Sequence, residues 1–211
     1  MGVFQQIAQL ELAQRPIKEA DAQALYLRLK GEAPKTVLEI CQNAGQLSLL
    51  LAGFLAEQGD GTLTTFQGST AQTDAEFHDH LAALDLSPFV NVLPAGRSYS
   101  WALQRLLSKS PRPVFDACIL NGHKTWEASG FGLVLADLLL RPGGLLVLPD
   151  IHWSMAKSPY FRQRPHLTEK HDTDELQAQP VALAMDILLP RLGYQVIDAP
   201  ELSNIALARK S

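Results

Sequence analysis

Residues 36–54, TVLEICQNAGQLSLLLAGF, constrain the fold more than any other stretch of the chain. Val37, Leu38 and Ile40 lie in an apolar run too short for a helix, whereas Leu47, Leu50, Leu51, Phe54 and Leu55 recur at helical spacing. The pattern predicts a strand, a tight turn of small and polar residues, and a helix. Such a turn sets backbone N–H groups at a helix N-terminus beside a strand end, the place where open α/β sheets hold their ligands. The alternation continues downstream. Thr62–Phe66, Val90–Leu93, Phe115–Leu120 and Leu145–Leu148 read as strands, separated by helical patterns over 72–86, 101–107 and 131–140. Strands alternating with helices imply an α/β protein with a doubly wound, mostly parallel sheet.

A chain of 211 residues with 46% hydrophobic and 19% charged residues is long enough for one sizeable core and short for two. One domain is expected over 34–211, with a helical addition over 1–33. In that addition Phe4, Ile7, Leu10 and Leu12, and then Ile17, Ala20, Leu25, Leu27 and Leu29, mark two amphipathic helices on either side of Arg15-Pro16. A net charge of −4 and the absence of a Lys/Arg-rich block argue against a nucleic-acid partner. No run approaches the roughly 18 apolar residues that span a bilayer, and the N-terminus lacks the pattern of a secretory signal. Gln6 rules out the myristoylation pattern that Met1-Gly2 would otherwise open. A cytoplasmic protein without a membrane partner is expected, with Cys41 and Cys118 reduced and buried.

Between 154 and 180 the apolar periodicity lapses into a polar, proline-interrupted stretch, expected to be a loop that serves as a lid. Arg162, Arg164, His166, Lys170 and His171 fall within it. A helix over 181–189 and strands at Tyr194–Ile197 and Ile205–Ala208 close the chain. Several enzyme classes are excluded by what is missing. No Gly-x-Gly-x-x-Gly supports a dehydrogenase, Ser48 is no nucleophile elbow, and there is no Cys-x-x-Cys.

Taken in order, the motifs resemble those of the class I S-adenosylmethionine-dependent methyltransferases. That family usually carries acidic-x-Gly-x-Gly-x-Gly after its first strand. Here Glu39 holds the acidic position and Gly45 the last glycine, while Cys41 and Asn43 stand at the first two. Gln67 occupies the end of the second strand, where the family has a carboxylate for the ribose hydroxyls; an amide offers one acceptor oxygen and no charge. Pro94-Ala95-Gly96-Arg97-Ser98 resembles the Gly-Asp-Ser turn after the third strand, with Arg97 replacing the Asp. Asn121-Gly122-His123-Lys124-Thr125-Trp126-Glu127 resembles the Asp-Gly-Asp-His-Thr-Tyr-Glu segment of a bacterial small-molecule methyltransferase family, and the Asp-x-x-Lys of catechol and caffeoyl-CoA O-methyltransferases. The most specific stretch is LRPGGLLVLPD, since Pro-Gly-Gly before an apolar strand ending in Asp recurs throughout the class.

The resemblance implies a seven-stranded, Rossmann-like sheet ending in an antiparallel hairpin. It implies S-adenosylmethionine as cofactor, bound by Glu39, Cys41, Asn43, Gly45, Gln67, Ser98 and Asn121, and a small-molecule acceptor. His123 or Lys124 would be the base and Asp150 would orient the acceptor. Asn121 and Asp150 fall where the catechol-type enzymes have metal-binding Asp residues, and Ile151 where they have a third oxygen ligand. One carboxylate in three positions is a weak set for Mg²⁺, so no metal is expected; His123 and His152 could offer only a softer site. In the resembled family, N-terminal helices often cover the cofactor or join two subunits, which leaves a homodimer open. A second reading is a protein of this fold that has lost methyl transfer and serves as a binding or assembly partner. The departures at 41, 67 and 121 favour that second reading; Glu39, Gly45, His123, Lys124 and Asp150 favour the enzyme.

Overall fold

Leucine-rich from end to end, helix α3 (Gln46–Gln58) buries Leu47, Leu49, Leu50, Leu51, Phe54 and Leu55, so it must be covered on every side. One side packs on the sheet and the other on the N-terminal helices α1 (Val3–Ala8) and α2 (Glu19–Glu32). Gly53 permits the crossing of α1, because a Cβ there would lie 2.8 Å from Val3 Cγ1. Gly59, in the left-handed region at φ 75°, ends the helix by donating its N–H to Leu55 O at 3.0 Å. These features come from a computed structural model that describes residues 3–8, 10, 17–68, 71–96 and 98–211. Arg97 and the Arg15-Pro16 break lie outside the described residues.

The strands are β1 (Thr36–Cys41), β2 (Thr62–Gly68), β3 (Val90–Gly96), β4 (Phe115–Asn121), β5 (Leu140–Pro149), β6 (Tyr194–Ile197) and β7 (Ile205–Lys210). They form one seven-stranded sheet in the order β3-β2-β1-β4-β5-β7-β6. The first five are parallel, and β7 runs antiparallel to both β5 and β6. Helices α4 (Ala71–Ala83), α5 (Tyr99–Leu107) and α6 (Trp126–Asp137) make the remaining crossovers, and α9 (Pro180–Ile187) packs beside α6. Two apolar clusters result. One includes Leu25, Leu29, Phe54, Leu63, Phe77 and Leu207; the other includes Leu38, Phe66, Leu103, Leu133, Leu146 and Leu189. Since α2 contributes fully buried leucines to the first cluster, the N-terminal helices share the core of the sheet.

Three local expectations change. Arg141-Pro142-Gly143-Gly144 does not precede β5 but lies within it: Leu140 already pairs with Phe115, Leu145 pairs with Ala117, and the four residues between bulge outward, with Gly143 at φ 69°. Helix α6 begins at Trp126 and not at 131, because Thr125 is its N-cap and Glu127 lies in its first turn. The stretch 154–180 is not a plain loop but carries short helices, α7 (Pro159–Arg162), a 3₁₀ turn (Pro165–Leu167) and α8 (Thr173–Gln177). Its prolines at 159, 165 and 180, read as breakers, each open a helical turn, where the missing N–H costs nothing. Among the described residues no helix is long and apolar enough to cross a membrane.

Candidate functional site

Chain order reverses between β1 and β4, and the carboxyl ends of those strands part around a cavity of about 730 Å³. Its walls come from five segments: the β1–α3 loop, the β4–α6 loop, the end of β5 with Trp153 and Tyr160, the start of α2, and the β6–β7 connection with Asn204. Asn43, Gly45, Asn121, His123, Lys124 and Asp150, all singled out from the sequence, line it. Glu39, Cys41, Gln67 and Ser98 do not.

Glu39 lies beneath the cavity, 1% exposed. One of its carboxylate oxygens accepts from Ser48 Oγ and from Thr65 Oγ1 at 2.8 Å, and the other accepts from Asn121 Nδ2 at 3.1 Å. Burial pushes its carboxyl up, and those hydrogen bonds oppose the rise. Ser48 also accepts from Gly45 N–H at 3.0 Å, so the acidic position and the last glycine of the first motif are joined through one hydroxyl. Cys41 turns toward β2, where its thiol meets Thr65 Oγ1 and Phe66 O, each at 3.3 Å. Burial raises that thiol well above its ordinary range, which leaves it an inert packing group. Both cysteines are free and buried.

The loop after β1 is held down on β2. Ala44 N–H donates to Gln67 Oε1 at 2.9 Å, and Gly68 N–H donates to Asn43 Oδ1 at 3.0 Å. Gln67, 5% exposed, opens instead onto a separate cavity beside Val92 and Pro94. On the main cavity wall the side-chain oxygens of Gln42 and Gln46 are buried and, among the described residues, have no hydrogen-bond partner. Acceptors in that state call for a donor from a ligand or from water.

At the end of β4, Lys124 Nζ donates to Leu120 O at 3.3 Å and Pro149 O at 3.2 Å, and lies 3.6 Å from Asp150 Oδ2. Burial pushes the ammonium down, against the pull of the Asp150 carboxylate. Asp150 sits in the left-handed region at φ 64°. Asn204, from the β6–β7 connection, holds that turn: its Nδ2 donates to Asp150 Oδ1 at 3.1 Å, its carbonyl accepts from Asp150 N–H at 2.8 Å, and its Oδ1 accepts from His152 N–H at 3.2 Å. His123 stands exposed between the main cavity and a smaller one that Ser98 lines, its ring stacked on Tyr99 at 6.3 Å between centroids. Tyr99 is wedged beneath this loop, its hydroxyl donating to Ala128 O at 2.9 Å. A Cβ on Gly122 would lie 2.5 Å from its ring, and one on Gly132 would lie 3.3 Å from its hydroxyl.

Sequence reasoning passed over Asn204, Gln42, Gln46 and Asp21. Asp21 lines the cavity from α2 and accepts from Ser203 N–H at 2.6 Å and Ser203 Oγ at 3.0 Å. A signal for Gln42 and Gln46 was present, since both fall in the turn that the strand-turn-helix pattern marks. Among the described residues no three of His, Cys, Asp and Glu come together as metal ligands. Asn121 in particular points its donor nitrogen at Glu39.

In sequence the chain matches no family model and no curated protein. In three dimensions it is similar to TomG, an O-methyltransferase from Streptomyces achromogenes involved in tomaymycin synthesis and solved in complex with S-adenosylmethionine. The TM-score is 0.69 and the identity 18%, over 99% of this chain and 89% of that one. An O-methyltransferase from Bacillus cereus, in complex with S-adenosylhomocysteine, matches with a TM-score of 0.67 and 13% identity over 99% and 89% of the two chains. An S-adenosylhomocysteine-bound methyltransferase from Podospora anserina matches with a TM-score of 0.66 and 13% identity over 93% and 80%. Five parallel strands, a reversal between β1 and β4 and a closing antiparallel hairpin thus give this chain the fold of the class I S-adenosylmethionine-dependent methyltransferases.

Proposed function

We propose that the protein is an S-adenosylmethionine-dependent methyltransferase acting on the oxygen or nitrogen of a small-molecule acceptor. The observation that carries this reading is the cavity at the β1–β4 reversal, with the oxygens of Gln42 and Gln46, partnerless among the described residues, on its wall. Buried acceptors without donors suit the ammonium of the cofactor's amino-acid end, and the loop they sit on opens α3, whose N-terminus suits the carboxylate. Asn121 would line the same end. The bound complexes of TomG and of the Bacillus cereus enzyme support this assignment.

The cofactor, when bound, supplies an electrophilic methyl group. The chain's own task is to bring an acceptor atom in line with it and to take up a proton. His123 is the proposed base: it faces the cavity, and a neutral imidazole carries one ring nitrogen able to accept a proton. Lys124 is less suited, because a neutral amine would turn a lone pair toward the Asp150 carboxylate. It serves instead to fix Asp150, whose carboxylate, held on its other side by Asn204, receives a donor hydrogen of the acceptor. Trp153 and Tyr160 offer aromatic surface at the mouth, so the segment 154–180 acts as a lid over the acceptor. Nothing in this scheme needs a divalent ion, and turnover is expected to survive chelation.

Calorimetric titration with S-adenosylhomocysteine tests the reading directly. Saturable one-to-one binding supports it. Absence of binding under conditions where the protein is folded favours the other reading, a protein of this fold that binds or assembles without methyl transfer. That reading draws on the closed contact between residues 43–44 and 67–68.

A further inference from the structure

The gap between the carboxyl ends of β1 and β2 is spanned by two reciprocal hydrogen bonds. The first loop gives β2 the acceptor Asn43 Oδ1 and takes the acceptor Gln67 Oε1 in return, so each segment supplies one backbone donor and one side-chain amide. Contact is close, since a Cβ on Gly68 would lie 2.5 Å from Asn43 Oδ1 and 3.0 Å from Gln42 O. The main cavity consequently stops at Gln42 and Asn43, and Gln67 belongs to another. A pair of adjacent N–H donors facing a pair of amide oxygens is a pattern that two neighbouring sugar hydroxyls could satisfy, because a hydroxyl both donates and accepts.

We propose that Asn43 and Gln67 form a reversible clasp that fills the nucleoside half of the cofactor slot from within, and that the 42–44 loop must lift from Gly68 before a nucleoside can enter. The proposal rests on the cofactor reading above. The other half of the slot stays open, with Gln42 and Gln46 on its wall, so the ligand's amino-acid end can be received while the clasp is closed. Two neutral hydrogen bonds are each of modest net strength, so the clasp lowers the competent population without locking it. Apparent affinity then scales with the fraction of molecules in which the loop is open.

Two variants open the clasp by different routes. Asn43→Ala deletes one acceptor. Gly68→Ala deletes no polar group but sets a methyl group 2.5 Å from the present place of Asn43 Oδ1, and its backbone lies outside the left-handed region that would demand glycine. Each is expected to bind S-adenosylhomocysteine about 3- to 10-fold more tightly than the wild type, the factor that corresponds to one modest hydrogen bond. Amide hydrogen exchange, with no ligand present, should show Ala44 and Gly68 protected in the wild type and Gly68 released in Asn43→Ala. Wild-type binding that neither folded variant strengthens overturns the clasp and leaves the cofactor reading intact. Absence of binding by all three proteins overturns the cofactor reading, and the clasp's role with it. Fast exchange at Ala44 and Gly68 in the wild type overturns the clasp whatever the ligand does.

Discussion

Lys124 and His123 are neighbours in the chain and opposites in setting. The ammonium of Lys124 is enclosed by two carbonyls and a carboxylate, whereas the His123 ring is exposed to the cavity. Once an acceptor is in hand, His123→Ala is expected to lower kcat by about 10² to 10⁴-fold with little change in cofactor affinity. Lys124→Met should instead lower the melting temperature, because it removes the donor shared by the Leu120 and Pro149 carbonyls and the cation beside Asp150. The reverse pattern, a stable Lys124→Met with turnover abolished, would assign the base to the lysine. Asn121 offers a second test. Asn121→Asp, which restores the acid of the catechol-type motif, would bring a carboxylate against Glu39 in a buried site. Burial already pushes Glu39 toward its protonated form, so two carboxylates there cannot both stay charged without cost. The variant is expected to lose on the order of 1–3 kcal/mol at pH 8 and less at pH 5, because protonation of either carboxyl relieves the repulsion and is favoured as pH falls. Urea denaturation at the two pH values measures this, and equal deficits would show that the charge pair is not the cause.

The strands are pinned at the end of the sheet away from the cavity as well. Asp116 of β4 accepts from Lys35 N–H, Thr36 N–H and Thr36 Oγ1, and from Arg141 Nε at 2.7 Å, so it joins β1, β4 and the bulge in β5. Partial burial pushes its carboxyl up, but the Arg141 guanidinium and the donors of Thr36 and Lys35 outweigh it and hold it at about 2. A carboxyl depressed in the folded state stabilises fully above its unfolded value of roughly 3.9, and that contribution fades as pH falls toward the folded one. Asp116→Asn should therefore cost on the order of 2 kcal/mol at pH 7, and the gap to wild type should narrow between pH 4 and pH 2. A gap that stays constant with pH would mean that the charge adds nothing. At this scale the sequence was readable wherever a pattern repeats. Alternating apolar runs marked the seven strands, although Pro-Gly-Gly, read as the turn before β5, proved to be a bulge inside it. What it concealed were bonds between positions with no periodic relation, such as Asn43 with Gly68, or Asn204 with Asp150 at a distance of 54 residues. Prolines misled in 154–180 because the same ring that ends one helix is suited to the first turn of another.

Over the whole molecule, Asp21 and Ser203 connect the two ends of the chain across 182 positions, and that joint forms part of the cavity wall. Asp21→Ala would leave the Ser203 N–H and hydroxyl without their partner, at a cost on the order of 1–3 kcal/mol. Because α2 shares its core with α3 and β7, hydrogen exchange should show the amides of α2 and β7 opening together in the wild type. Opening of α2 alone would make residues 1–33 a separable addition. The wedge of Tyr99 under Gly122 and Gly132 has a consequence of another kind, one of inheritance. With that ring in place Gly122 cannot take on a side chain without displacing it, and a smaller residue at 99 would lift that restriction, whereas a Cβ on Gly132 would still meet Leu120 Cδ1 at 2.9 Å. Positions 99 and 122 are thus expected to drift as a pair across descendants of this sequence, with glycine surviving at 122 in the lineages that retain the tyrosine.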